Sequence, residues 1–222
     1  MKKILLAGTA LLALTAAPAF AADAPIYRKG PAPVAYAPFS WNGCYLGLHV
    51  GGGWGTSDLG PVVGVTANAT TSGWFGGGQI GCNWHTSPSL VLGIEGDLAW
   101  ANITGSAPIG GTGFTYVSRL NYFGTVRGRI GFAMDRALLY GTAGFAWGNH
   151  TGTANPGGFS DTQTHLGWAG GVGLEYAFAP NWSTKLEYLY LDLGSKTYTA
   201  GGFTGPINVK AHTLKLGVNY RF

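Results

Sequence analysis

The stretch that decides the fold is HTLKLGVNYRF, residues 212–222. Its alternate residues form two sets, one mostly apolar and one polar. The apolar set is His212, Leu214, Leu216, Val218, Tyr220 and Phe222, and the polar set is Thr213, Lys215, Gly217, Asn219 and Arg221. Successive side chains of a β-strand point to opposite faces, so this alternation predicts one strand between two unlike environments.

The same period of two extends back to about Trp41. The chain has 222 residues, of which 46% are hydrophobic and only 10% charged, against about 25% charged in soluble domains. Its 39 glycines and its 8 Trp, 11 Tyr and 11 Phe favour strands over helices. No apolar run of about 18 residues follows the N-terminal segment, which argues against helical membrane spans. The composition therefore favours one domain of membrane-spanning strands.

The first residues are typical of a secretory signal peptide. Two lysines precede an apolar stretch at 4–15, and Ala19-Phe20-Ala21 is a small-x-small cleavage site, so we expect a signal peptide at 1–21. Removing Lys2 and Lys3 leaves 11 of the 13 basic residues against 9 acidic ones, and so small an excess argues against a nucleic-acid partner. Residues 22–40 contain four prolines and no periodicity, which predicts a Pro/Ala-rich periplasmic linker.

Eight strands are predicted after the linker, with long and short connections in alternation. They lie at about 42–54, 72–85, 89–102, 117–132, 137–148, 163–178, 182–193 and 207–222. The long connections are at about 55–71, 103–116, 149–162 and 194–206, and the short turns lie near Pro88, Asp135 and Pro180. This asymmetry is typical of outer-membrane barrels, and an even strand number puts both termini in the periplasm. The prediction is an all-β, eight-stranded antiparallel transmembrane up-and-down β-barrel over 41–222.

When the outward face of each strand is chosen from its apolar residues alone, the charged residues are predicted to face inward. The inward set is Glu95, Asp97, Arg119, Arg127, Arg129, Glu175, Lys185, Glu187, Lys215 and Arg221. A charge facing lipid costs up to about 2–4 kcal/mol at mid-depth, which explains the pattern. On the fourth strand the same alternation predicts Leu120 and Tyr122 outward and Asn121 inward.

Cross-strand register predicts ion pairs within the lumen. Glu95 is expected opposite Arg127 or Arg129, and Asp97 opposite Arg127. The full set of predicted lumen ion-pair residues is Glu95, Asp97, Arg127, Arg129, Glu175, Lys185, Glu187 and Lys215. Eight strands leave an interior about filled by side chains, so these pairs are expected to plug the lumen rather than line a channel.

The same register places Cys44 opposite Cys82 on the outward face near the periplasmic end. In an oxidising compartment this predicts a cross-strand disulfide, provided that the Cα separation permits one.

Other motifs offer little chemistry. Gly76–Gly81 satisfies G-x-G-x-x-G but lacks the strand and helix that would aim backbone amides at a pyrophosphate. The histidines show no metal-binding spacing, and no serine lies in G-x-S-x-G. The five histidines are His49, His85, His150, His165 and His212. A Ser/His site assembled from separate strands stays an alternative. We expect no catalytic, cofactor-binding or metal site.

Four stretches carry a family resemblance: FSWNGCYLG at 39–47, GGGQIG at 76–81, VRGRIG at 126–131 and LGVNYRF at 216–222. Over about 39–222 the chain resembles small outer-membrane proteins of alphaproteobacteria related to the Brucella 25 and 31 kDa surface antigens. The resemblance implies an OmpA-like eight-stranded barrel, a surface-antigen or envelope-integrity role and no known catalytic residues. The ending also resembles the C-terminal aromatic that such barrels present to their assembly machinery, which suggests Tyr220 and Phe222 as an assembly signal.

We therefore expect a non-enzymatic outer-membrane barrel whose partners are membrane lipid and, through its last strand, the barrel assembly machinery. The alternatives are a small low-conductance porin, or a protein that binds haem or host and environmental ligands through its extracellular loops. A soluble lipocalin-like barrel would show the opposite orientation, with apolar residues inside.

Overall fold

The computed structural model describes residues 39–62, 65–109, 113–200 and 203–222. They form eight strands: β1 (Gly43–Val62), β2 (Val65–Ser87), β3 (Leu90–Ile109), β4 (Phe114–Met134), β5 (Ala137–Asn155), β6 (Phe159–Ala177), β7 (Trp182–Ala200) and β8 (Phe203–Arg221). No helix among these residues is long and apolar enough to cross a membrane. The predicted signal peptide at 1–21, and the predicted linker up to residue 38, lie outside the described residues.

Each strand pairs antiparallel with the next, and β8 pairs with β1 to close the barrel. The terminal stretch completes the ring because it is paired on both sides. Leu216, for example, lies opposite Val50 of β1 and Leu186 of β7. The predicted up-and-down topology is confirmed.

The two faces of the wall differ as the alternation predicts. Leu48 is 74% exposed and Phe145 78%, whereas Glu95 is 2% and Lys215 1% exposed. This orientation is the reverse of a soluble barrel, in which the apolar side chains would fill the interior. An outward apolar band suits contact with lipid.

The strands are longer than predicted at one end. The predicted long loops at 55–71, 103–116, 149–162 and 194–206 are mostly paired strand, since β1 runs to Val62 and β2 begins at Val65. Apolar outward residues stop at an aromatic girdle that includes Trp54, Trp74 and Trp100, and beyond it the alternation continues with polar outward residues. We call these exposed positions the polar collar: Thr56, Thr70, Asn102, Thr104, Arg119, Thr162 and Thr164. The loop prediction was wrong because the outward face of a strand is polar where the strand extends beyond the lipid. The sequence there lacks the apolar alternation from which strands were predicted.

A β-bulge in β4 changes which face some of its residues occupy, compared with the prediction. Leu120 pairs with His150 and Tyr122 with Asn149, so Asn121 is an extra residue. A bulge places two residues of one strand opposite one of its neighbour and so reverses the facing of everything beyond it. Leu120 is therefore inside, 5% exposed, and Arg119 is outside and exposed. The predicted facing of both residues was wrong.

Candidate functional site

The lumen holds the eight predicted ion-pair residues, and all of them are buried. Glu95 and Asp97 come from β3, Arg127 and Arg129 from β4, Glu175 from β6, Lys185 and Glu187 from β7, and Lys215 from β8. Strands that supply two of them do so at positions i and i+2, because such residues share a face of the strand. We call this set the charged network.

Arg127 lies at the centre of the charged network. Its Nη2 is 2.8 Å from Glu95 Oε1 and 2.7 Å from Asp97 Oδ2, and its Nη1 is 3.1 Å from Glu187 Oε1. Its Nε donates to Thr125 Oγ1 at 2.7 Å. The planar, five-donor guanidinium suits this task because it serves several carboxylates at once.

The remaining cations complete the charged network. Arg129 Nη2 lies 2.8 Å from Glu175 Oε2 and Lys185 Nζ 2.7 Å from Glu95 Oε2. Lys215 Nζ lies 2.9 Å from Glu187 Oε1 and 3.3 Å from Asp97 Oδ2. Four cations thus face four carboxylates, and the charged network is electrically neutral. This balance matters because a buried charge without a partner is strongly destabilising.

Two tyrosines belong to the network although sequence reasoning did not assign them to it. Tyr45 OH donates to Glu95 Oε2 at 2.6 Å and accepts from Arg129 Nη1 at 2.7 Å. Tyr140 OH donates to Glu187 Oε2 at 2.7 Å, and its ring lies 3.9 Å from the Arg129 guanidinium carbon. Tyr45 directly follows Cys44, so the alternation that places Cys44 outward places Tyr45 inward, but only the closed barrel shows which carboxylate its hydroxyl meets.

An apolar layer closes the lumen on the extracellular side of the charged network. Phe75 and Phe123 are buried and meet edge to face, with ring centroids 5.2 Å apart. Ile103, Leu189 and further buried aliphatic side chains pack around them in one cluster. Apolar side chains offer no hydrogen bonds to water or to a hydrated ion, so this layer is a barrier to ions.

The periplasmic mouth is closed by the residues that precede β1. Trp41 is 0% exposed and its Nε1 donates to the Asp135 carbonyl oxygen at 3.0 Å, while Phe39 N donates to Asp135 Oδ1 at 3.2 Å. The Arg221 guanidinium lies 4.7 Å from the Trp41 ring and donates to the Ser40 carbonyl at 2.8 Å. Phe39 and Ser40, predicted to end the linker, therefore pack against the barrel. We call residues 39–41 the periplasmic strap.

A second polar group, the upper cluster, lies in the lumen at the level of the polar collar. His150 Nε2 is 2.8 Å from Ser118 Oγ and 3.5 Å from Ser57 Oγ, and its Nδ1 is 3.0 Å from Tyr198 OH. Tyr198 OH also lies 2.9 Å from His165 Nε2. Burial lowers the pKa of His150 to about 4. Ser118 and His150 are each 1% exposed, so this Ser/His pair is buried inside the lumen.

No group of three His, Cys, Asp or Glu side chains able to hold a metal occurs among the described residues. The Gly76–Gly81 stretch is part of β2, where its glycines allow close approach of neighbouring strands. A Cβ on Gly77 would lie against the Leu98 carbonyl oxygen.

Cys44 and Cys82 are cross-strand partners joined by a disulfide. Their Cα atoms are 4.0 Å apart, slightly closer than the usual range of about 4.4–6.8 Å. The bridge ties β1 to β2 near the periplasmic end, as predicted.

These features together define a transmembrane β-barrel of the outer-membrane type, with side chains filling its lumen. A family model described as the outer membrane protein beta-barrel domain matches residues 7–222, and the chain belongs to this family. It resides in the outer membrane, and the end of the barrel at which β1 begins and β8 ends faces the periplasm.

Relatives of known name agree with this placement. The chain is 36% identical to the 31 kDa outer-membrane immunogenic protein of Brucella melitensis, with 100% of both chains covered. It is 31% identical to the 25 kDa outer-membrane immunogenic protein of Brucella abortus, over 100% of this chain and 99% of the relative. The crystal structure of the outer membrane protein OprG from Pseudomonas aeruginosa is similar in fold, with a TM-score of 0.53 and 14% identity over 82% of this chain and 96% of that one.

Proposed function

We propose that this protein is a non-enzymatic, sealed barrel that supports the integrity of the outer membrane and presents its extracellular end as a surface antigen. The observation that carries the proposal is a neutral charged network lying between an apolar layer and the periplasmic strap. The relatives named immunogenic outer-membrane proteins support the antigen role.

A sealed lumen is favoured over a low-conductance porin for two physical reasons. An ion would have to displace ion pairs that are balanced four against four, and it would then have to cross the layer around Phe75 and Phe123 without ligands. The first step breaks buried ion pairs, and the second removes hydration without replacing it. The lumen therefore acts as a packed core.

Single-channel recording in planar bilayers tests the sealed lumen. We expect the wild-type protein to show no steady conductance and Phe75→Ala/Phe123→Ala/Arg127→Ala to show openings, because the three substitutions weaken the apolar layer and remove the central cation of the charged network. The control Leu48→Ala/Phe145→Ala truncates two lipid-facing residues and should stay silent. Steady large conductance of the wild type, unchanged by Arg127→Ala, would establish a pore instead.

The envelope role is tested by deleting the gene and measuring survival in detergent. We expect greater sensitivity to sodium dodecyl sulfate, restored by the wild-type gene and equally by the Leu48→Ala/Phe145→Ala variant. Unchanged survival of the deletion strain would remove the integrity role and leave the surface-antigen role alone.

We also propose that Tyr220 and Phe222 are recognised by the barrel assembly machinery. Phe222 is 70% exposed and Tyr220 44% exposed on the outward face, so the packing of the lumen does not require either side chain. Phe222→Ser should reduce the heat-modifiable, folded form in membranes. Phe178→Ser is the matched control, since Phe178 is also an exposed aromatic at the periplasmic end of the barrel. Equal loss in both variants would show a general need for aromatics instead of a terminal signal.

A further inference from the structure

The aromatic girdle at the extracellular end differs from one side of the barrel to the other. On β6, β7, β8 and β1 its rings contact one another. Trp54 and His212 are cross-strand partners stacked with ring centroids 6.0 Å apart, and the centroids of His212 and Tyr190 are 5.1 Å apart. Trp168 extends the series, with its centroid 5.5 Å from that of Tyr190. We call these four residues the ring row.

The opposite side of the girdle has no such row. Trp74, Trp100, Tyr122 and Trp147 lie at the same end of β2, β3, β4 and β5. In the described part of the chain, none of these four rings contacts another aromatic ring, since the ring contacts of this girdle all lie on β6, β7, β8 and β1. Aromatic side chains are common at any membrane interface, but their contact on one side only is a local feature of this barrel.

The ring row contains a polar atom that is available to a ligand. The Tyr188 hydroxyl lies 2.7 Å from His212 Nδ1. A hydroxyl that donates to Nδ1 leaves the ring hydrogen on Nε2. Among the described residues no group bonds to His212 Nε2, and the side chain is partly exposed. The imidazole therefore presents a hydrogen-bond donor to the outside of the barrel.

A cation lies directly beyond this donor. Lys210 is two residues from His212 on the same face of β8, opposite Thr56 of β1 and Asp192 of β7. Asp192 Oδ1 accepts the N–H of Gly194 at 3.0 Å. Within the described ranges, the Lys210 ammonium group has no ion pair with Asp192 or with any other carboxylate. One positive charge at the extracellular interface is thus without a partner in the protein.

The surface below the ring row continues as the lipid-facing wall. Val50 and Leu214 are exposed there, on β1 and β8. Aromatic belts mark the level of the lipid headgroups, so the ring row and Lys210 face the headgroups of the outer leaflet. The apolar surface beneath them faces the acyl chains. A molecule that uses the whole surface must therefore be amphipathic, with an anionic group beside Lys210 and a flat body against the rings.

We propose that the ring row and Lys210 bind the headgroup of an anionic glycolipid of the outer leaflet, with a sugar ring on the aromatic faces and a phosphate between Lys210 Nζ and His212 Nε2. An ammonium group and an imidazole N–H both donate to phosphate oxygens, and bonds to an ionised acceptor are the strong ones. A basic side chain at the membrane surface adds attraction for anionic headgroups. The proposal goes beyond the sealed lumen and does not depend on it, because the site lies on the outer face of the wall.

Two other anionic ligands fit this surface less well. A soluble sugar phosphate would leave the apolar surface below the ring row without contacts. Phosphatidylglycerol has acyl chains and a phosphate, but its headgroup has no ring to lie against the aromatic faces. Both serve as competing ligands in the test.

The test uses the full-length barrel in detergent micelles and native mass spectrometry, which counts the lipids that stay bound. The probes are diphosphoryl lipid A, dephosphorylated lipid A, phosphatidylglycerol and glucosamine 1-phosphate. We expect saturable binding of a single diphosphoryl lipid A, about tenfold or more tighter than binding of each of the other probes. Equal binding of the dephosphorylated form, of phosphatidylglycerol or of the soluble sugar phosphate would overturn the proposal.

Matched charge variants locate the site. Lys210→Thr/His212→Thr removes both donors and should weaken binding of diphosphoryl lipid A by about tenfold or more. Arg119→Thr removes the exposed cation of the polar collar on β4, across the barrel from β8, and should bind as the wild type does. Unchanged affinity of the first variant, or an equal loss in the second, contradicts the proposed site.

Matched aromatic variants test the ring row in the same assay. Trp54→Leu/Tyr190→Leu should weaken binding, because it removes the faces on which the sugar ring lies. Trp100→Leu/Tyr122→Leu makes the same kind of change where the rings have no aromatic neighbours, and should leave binding unchanged. Heat-modifiable migration confirms that each variant is folded. Equal affinity of the two aromatic variants would overturn the role of the ring row.

Discussion

Arg119 and Arg127 lie an even number of residues apart on β4, yet Arg119 faces the medium and Arg127 is buried in the lumen. On a regular strand both would share a face. The bulge at Asn121 separates them, and Asn121 Nδ2 donates to Asn149 Oδ1 and Thr151 Oγ1, each at 2.9 Å. One strand thus offers two arginines in opposite environments, which allows matched experiments.

Arg127→Met should destabilise the barrel by about 3–5 kcal/mol, because it leaves Glu95, Asp97 and Glu187 without their shared cation. Arg119→Met is the control and should change stability by no more than about 0.5 kcal/mol. Urea unfolding in lipid vesicles, followed by tryptophan fluorescence, measures both. Similar losses in the two variants would contradict the central role of Arg127.

Cysteine labelling tests the bulge directly. Cys44 and Cys82 are bridged, so an introduced cysteine is the only free thiol in the oxidised protein. A membrane-impermeant maleimide added to intact cells should label Arg119→Cys and leave Leu120→Cys unlabelled. The reverse result would restore the regular alternation predicted from the sequence.

Trp41→Ala should destabilise the barrel by about 3–5 kcal/mol, as is usual for a fully buried aromatic. It should also free Arg221 from the ring that it contacts. Trp84→Ala is the control, since Trp84 is an outward residue near the periplasmic end of β2 and is 54% exposed. Unfolding midpoints in urea compare the two, and a smaller effect of Trp41→Ala would show that the periplasmic strap is dispensable.

The upper cluster predicts a loss of stability in acid. The pKa of His150 is lowered by burial from 6.5 to about 4, and burial also lowers the pKa of His165. Below about pH 6.5 the unfolded chain binds protons that the folded chain does not, so stability should fall as pH drops from about 6.5 to about 4 and then level off as far as His150 is concerned. Urea midpoints across this range should vary less in His150→Asn. An identical slope in both proteins would locate the acid sensitivity elsewhere.

Strand number, topology and facing were predictable because the two sides of the wall meet different solvents. The alternation of side chains along each strand was enough to place Glu95 and Lys215 inward, and the cross-strand register matched Cys44 to Cys82. The facing of Arg119 and Leu120 was not predictable, since a one-residue bulge leaves no mark in composition. The collar was missed because its outward positions are as polar as those of a loop.

Contacts between side chains across the lumen could not be predicted from the sequence either. Tyr140 meets Glu187, and Trp41 meets the turn at Asp135, over separations that only ring closure determines.

The order of synthesis gives the charged network a further consequence. The carboxylates and arginines of β3 and β4 cancel one another, but Glu175, Lys185 and Glu187 leave an excess negative charge until Lys215 arrives on the last strand. A ring that lacks β8 is therefore both open and unbalanced, and its interior keeps its hydration. We therefore expect the lumen to lose its water and its side chains to become fixed only after β8 has paired with β7 and β1.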